Sequence, residues 1–257
     1  MTLQAIKPAD FHWFPYEGFT FCLGLAEGDA AWTSGHTAAA FDPSLGKMTV
    51  RGTMEEQART AYEKVLTIIN GAGLTKDDVV RVVENVTVAG LPHYEAAAAV
   101  RREVFGDHRP TVTTVVVERL VRSTAFLEIE LHAVRGGGTR LRAASEPREA
   151  GQWAASPIRE GHDGAVHLPT IVPLDASGEV VHPGDFVAQY AYCLDRADAL
   201  LREVGLSLDN AVTTYDYSTP ATRGVYRKAH AVRKERLGGA RGYPGAGGVL
   251  VSRLHHP

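Results

Sequence analysis

The run Leu127-Glu128-Ile129-Glu130-Leu131 carries two carboxylates two residues apart in a strand-like apolar alternation. Side chains alternate across a strand, so Glu128 and Glu130 share a face. A carboxylate pair suits general acid–base work when burial raises one pKa; the competing reading is a solvated sheet face. His36 follows Thr33-Ser34-Gly35. In a cleft its imidazole would bind ligand or move protons near neutral pH; otherwise it is a hydrogen-bonded structural histidine. Tyr94 and Tyr226 fall on the inward side of helical patterns, as ring walls of a pocket or as plain core. Thr113 and Thr114 offer hydroxyls in a run that equally fits strand propensity.

Other chemistries lack their residues. Eleven histidines form no HxH, HExxH or HxxxH pair, so no metal site is expected. No GxxxxGK[ST] occurs, and Gly245–Gly248 leads into a strand-like run, which argues against a phosphate cradle. GxSxG is absent, and no nucleophile–base pair supports a serine or cysteine hydrolase.

Composition sets the frame. The 257 residues are 44% hydrophobic and 22% charged, with a net charge of −3. This is ordinary for a globular chain and gives no broad basic excess for nucleic acid. Arg233, Lys234, Arg236 and Arg241 are close in sequence and read as a solvated helix face. The two cysteines form no CxxC, and no apolar run reaches the length of a membrane span. A reduced, cytoplasmic chain with no signal peptide is the expectation.

The elements that must position these residues are written twice. Gly52, Gln57, Gly73, Asp77, Tyr94, Arg101 and Gly106 recur as Gly184, Gln189, Gly205, Asp209, Tyr226, Arg233 and Gly238, each 132 residues on. A constant offset means one fold unit duplicated. We expect a first domain over 1–136, a polar linker over 137–152 and a second domain over 153–257. In the first copy, Phe19–Leu25 and Ala30–Ser34 read as a hairpin and FDPSLGK as a turn. Thr53 with Glu56 has capping-box spacing, and Met54, Ala58, Ala61, Val65 and Ile68 make the apolar stripe of a helix that Gly73 stops. Val79–Val88 reads as a strand, Tyr94–Val104 as a second helix, and Thr111–Val117 and Phe126–Val134 as strands. The second copy repeats this order to Gly247–Arg253. It has no counterpart of Phe126–Val134, and whether further chain or something else covers that sheet edge stays open. The fold class is α+β: two tandem domains, each a mixed sheet backed by two helices.

The motif set resembles the Rid (YjgF) family. The matching residues are Thr33-Ser34-Gly35, FDPSLGK, Gly52–Gln57, Ala72-Gly73-Leu74, Arg109-Pro110, Arg119-Leu120 and the strand LEIELHAV at Leu127–Val134. The resemblance covers roughly 15–135 and, more weakly, 155–257. It implies chorismate-mutase-like domains, trimeric association and ligand pockets in clefts between subunits. It also implies cofactor-independent hydrolysis of reactive imines and enamines. In the family an arginine two residues after a conserved proline binds the substrate carboxylate, and a glutamate on the last strand helps to position water. The resemblance marks Glu130 as a catalytic candidate, with Tyr16, Tyr94, Thr113, Thr114 and Arg119 contacting ligand; His36 stands where the family usually carries glutamine and joins Glu130 as a catalytic candidate on its own imidazole chemistry.

The departures shape the expected function. Val112 and Ala246 stand where the arginine would, and neither can imitate a guanidinium fork. The family's asparagine on the second helix is replaced by Ala98 and, in the second copy, by His230. The expectation is therefore hydrolysis, tautomerisation or rearrangement of a small imine- or enamine-type metabolite of amino-acid or secondary metabolism. Ordinary 2-iminoacid deamination is disfavoured. The expected partners are a small-molecule substrate and further copies of the chain, as a trimer or other ring, with no cofactor, membrane or nucleic acid. One alternative is a non-catalytic ligand-binding or assembly module. A further one is a chorismatase-like enzyme, which would need Arg51, Arg119 and Arg122 to converge.

Overall fold

The computed structural model describes residues 2–141, 158–159, 164–240 and 242–255. The chain divides into one unit of residues 1–139 and 158–167 and another of 140–157 and 168–257. Residues 158–159 and 164–167, expected in the second domain, group with the first unit. Most of the expected linker lies outside the described residues.

The first unit is α+β. Its sheet contains β1 (Gln4–Ala5), β2 (Gly24–Glu27), β3 (Ala30–Thr33), β6 (Val79–Thr87), β7 (Thr111–Val117) and β8 (Leu127–Val134). Their spatial order is β1-β2-β3-β8-β6-β7. β6 and β7 run parallel, with Arg81 opposite Thr111 and Glu84 opposite Thr114. β8 runs antiparallel to both β3 and β6. β4 (Ala40–Asp42) and β5 (Lys47–Thr49) form a separate hairpin. Asp42 Oδ1 closes its FDPSLGK turn by accepting from the Ser44 amide at 2.9 Å and the Ser44 hydroxyl at 2.6 Å. This Asx geometry is why aspartate suits that position.

Two helices, α1 (Met54–Asn70) and α2 (Tyr94–Phe105), back the sheet. The capping box forms: the Glu56 amide donates to Thr53 Oγ1 and the Thr53 amide to Glu56 Oε2. Beyond the end of α1 the chain turns back through Gly73 at φ +73°, a conformation that penalises any Cβ. The stripe Ala58, Ala61, Val65 and Ile68 is fully buried, and α1 packs on β8 and β3. One expected strand start moves: β2 begins at Gly24, and Phe19 and Phe21 stack on each other, exposed, ahead of it.

In the second unit, α3 (Phe186–Glu203) is capped by Asp185, and β9 (Thr213–Ser218) pairs in parallel with β10 (Gly245–Leu250). α4 (Ala229–Leu237) lies between those strands in sequence. Thr213 is opposite Gly245 here, as Arg81 is opposite Thr111 in the first unit. The core joins Ala197, Leu201, Leu208 and Leu237. Among the described residues β9 has β10 as its only strand partner, and Phe186, Tyr190 and Cys193 on α3 stay half-buried. Among the described residues no helix is long and apolar enough to cross a membrane.

Candidate functional site

The two faces of the first sheet carry different chemistry. On β8, Leu127, Ile129, Leu131 and Ala133 turn into the core, and Glu128 and Glu130 turn the other way, half-buried. In register with them on β6 are Asn85 opposite Glu128 and Val83 opposite Glu130; Thr113 lies opposite Val83 on β7. Asn85 Nδ2 donates to Glu130 Oε1 at 3.5 Å. Burial, and then the neighbouring Glu130 charge, push the Glu128 pKa up. Glu128 also lies over Gly35, where a Cβ would come within 2.7 Å of its Oε1. Burial and its neighbour thus disfavour the charged form of Glu128, while Glu130 is the member held by Asn85. Farther along this face Trp32 stacks on His132 at 5.0 Å.

The helix side holds a closed polar network. Glu84, fully buried, accepts from Tyr62, Tyr94 and Arg101. Arg101 Nη1 also donates to Tyr94 Oη at 2.9 Å, and Thr114 Oγ1 lies 2.7 Å from Tyr94 Oη. Burial and the Glu84 charge raise both phenol pKa values, so both stay protonated. Tyr94 and Thr114 thus sit together, on the opposite face of the sheet from Glu130 and Thr113.

His36 lies on the helix side too. It bridges to Ile129 on β8, is 4% exposed, and places Nε2 3.4 Å from the Leu23 carbonyl. Burial lowers its pKa to about 4, against the raising effect of that carbonyl. A neutral, enclosed imidazole is the structural histidine of the two readings, and it does not share a face with the carboxylate pair. Tyr16 joins an aromatic cluster: its ring meets Phe11 edge-on at 5.5 Å, and Phe11 meets His36. Arg119 and Arg122 are exposed after β7, while Arg51 is paired with Asp42 on the hairpin. No contact links these three arginines among the described residues. Nor do those residues contain a cluster of three or more His, Cys, Asp or Glu able to hold a metal.

Sequence reasoning passed over Glu84, Tyr62 and Lys64, and read Arg101 only as a repeated position. Glu84 had a signal: it interrupts Val80, Val82 and Val86 at the inward parity of β6. Lys64 is fully buried and donates to the Thr37 carbonyl at 2.9 Å and to the Ala39 carbonyl. Trp13 and Phe14 present their rings to its ammonium at 5.7 and 5.3 Å. Burial lowers its pKa to about 7.

The second unit holds a carboxylate–tyrosine–arginine grouping of its own, more open than that of the first. Asp216 Oδ2 accepts from Tyr190 at 2.9 Å, Tyr226 at 2.8 Å and Arg233 at 3.4 Å. Gly248 lies opposite Asp216 on β10, and a Cβ there would lie 3.1 Å from Tyr226 Oη.

Residues 20–135 match the family model described as Endoribonuclease L-PSP. An uncharacterized protein of Streptomyces coelicolor is 29% identical over 136 residues, 53% of this chain and 97% of its own length. TdcF of Escherichia coli K12, whose name marks it as a candidate reactive intermediate deaminase, is 30% identical over 118 residues, 45% of this chain and 86% of its own. The crystal structure of E. coli TdcF with bound serine aligns with 27% identity and a TM-score of 0.43, over 51% of this chain and 98% of that one.

Proposed function

The chain belongs to the Rid (YjgF) family, and from that premise we propose that it acts, without a cofactor, on a small imine- or enamine-type metabolite that lacks an α-carboxylate. The carrying observation is the Glu128–Glu130 pair, one member pushed toward the protonated form and the other tied to Asn85. In an imine–enamine tautomerisation, a carboxylate takes the proton from the carbon next to C=N. The C–H electrons form C=C, the C=N electrons move to nitrogen, and nitrogen takes a proton. A pair whose members sit in different surroundings can serve both ends. Val112 in place of the arginine leaves a substrate carboxylate without a partner, which disfavours 2-iminoacids.

The two chemically loaded faces, Glu128–Glu130 and Tyr94–Thr114, lie on opposite sides of one sheet and can share a ligand only across copies. We read this as a ring assembly, a trimer, with each cleft built from one face of each neighbour. The second unit we read as a second Rid-like copy. Its helix–strand order, parallel register and Asp216–Tyr226–Arg233 grouping support that reading, and its loss of the Thr114 hydroxyl suits a structural role.

The test uses 1-pyrroline, a small cyclic imine without a carboxylate. Deuterium exchange at its C3 should be accelerated by the protein and lost in Glu128→Gln. Fast hydrolysis of 2-iminobutanoate, or 1-pyrroline exchange indifferent to Glu128, would overturn the proposal.

A further inference from the structure

Tyr94 Oη is the junction of the buried network, and its bonds fix which way protons point. Its single proton goes to Glu84, because the alternative leaves a phenol oxygen and a carboxylate oxygen in contact with no hydrogen between them. That contact would be repulsive in a site where Glu84 is 0% and Tyr94 4% exposed. Arg101 Nη1 supplies a second hydrogen to Tyr94 Oη. Thr114 Oγ1 also lies 2.7 Å from Tyr94 Oη. Tyr94 has no proton left to give, so the Thr114 hydroxyl donates inward.

Consequently Thr114 has spent its one proton. β7 is the edge strand of the sheet, and Thr114 is half-buried there, so its oxygen meets an incoming group with lone pairs alone. Val112, two residues earlier on the same face, adds methyl groups and no charge.

We infer that Thr114 is an acceptor-only specificity determinant, which selects ligands presenting an N–H or O–H at that point and turns away carboxylates. This rests on the reading of that face as half of a ligand cleft, and it narrows the substrate to one whose nitrogen or hydroxyl carries hydrogen there. The second unit has Gly248 at the matching position and offers no such oxygen.

Benzamidine and benzoate test this. They share one shape and present opposite hydrogen-bonding edges, N–H donors against bare oxygens. Each is titrated at fixed pH and ionic strength into the full chain, following the Thr114 and Val112 methyl resonances. Benzamidine should bind roughly tenfold or more tightly than benzoate, a difference of about 1.4 kcal/mol. Thr114→Val, which keeps the shape and removes the acceptor, should weaken benzamidine several-fold and tighten benzoate, narrowing the ratio. Tyr94→Phe frees the Thr114 proton to turn outward and should raise benzoate affinity, narrowing the ratio. Equal affinities, or a ratio unmoved by both substitutions, would overturn the inference while leaving the carboxylate-pair chemistry standing. If neither probe moves these resonances, the inference fails; persistence of Glu128-dependent 1-pyrroline exchange then shows whether the functional reading fails with it.

Discussion

Glu128 rests on Gly35: its carboxylate occupies the space that a side chain at residue 35 would need, with Oε1 2.7 Å from the position of a Cβ. Gly35, just beyond β3, therefore sets where this carboxylate sits, and the adjoining backbone is pinned by the paired His36–Ile129 bonds.

Gly35→Ala should displace the Glu128 carboxylate without unfolding the protein. The atoms that must yield are the end of a flexible side chain, and the φ of Gly35 is not in the left-handed region. The expected stability change is within about 1 kcal/mol. The 1-pyrroline exchange rate should fall by roughly tenfold or more, because acid–base transfer depends on hydrogen-bond reach. Thermal melts and the exchange assay check the two halves of this prediction. A variant with full exchange would show that the position of Glu128 does not matter.

Much of the frame around this site was legible in the sequence. The capping box at Thr53 and Glu56, the α1 stripe, the valine-rich β6 and the alternating β8 are local patterns, and each forms where its periodicity lies. The facing of side chains was legible only within a strand. Glu128 and Glu130 share a face by parity, but whether Thr114 joins them depends on the register between β6 and β7, which no local pattern encodes. The burial of Glu128 and its contact with Gly35 are both tertiary, and nothing local to the strand announces them. His36 was ambiguous for the same reason. Its residue type suits catalysis, while its bridge to Ile129 turns it into the core.

The two carboxylate–tyrosine–arginine groupings should differ sharply when cut. Arg101 and Glu84 are 4% and 0% exposed at their side chains, so Glu84→Gln leaves a buried guanidinium without its counter-charge. Breaking a buried pair in this way costs about 3–5 kcal/mol. Arg233 and Asp216 are 14% and 15% exposed and 3.4 Å apart, and water can replace part of what is lost. Asp216→Asn should cost about 1–2 kcal/mol, nearer the range of solvent-reached pairs. Urea denaturation of the two variants beside the parent protein measures both. Equal losses would mean that the second grouping is as closed in solution as the first.

Acid should expose the buried imidazole. The folded-state pKa of His36 is lowered from 6.5 to about 4 by burial, so the unfolded chain binds the proton more readily than the folded one. The stability carried by keeping His36 neutral is therefore complete above pH 6.5 and is lost as pH falls toward 4. A shift of this size corresponds to roughly 3 kcal/mol at most across that window. His36→Gln keeps a hydrogen-bonding side chain of similar reach and removes the titration. The difference in unfolding free energy between parent and variant, measured from pH 7 to pH 4, should move in favour of the variant by that order. Carboxylates elsewhere titrate in both proteins and cancel in the difference. A difference independent of pH would place His36 in contact with water and return it to the set of groups able to exchange protons with a ligand.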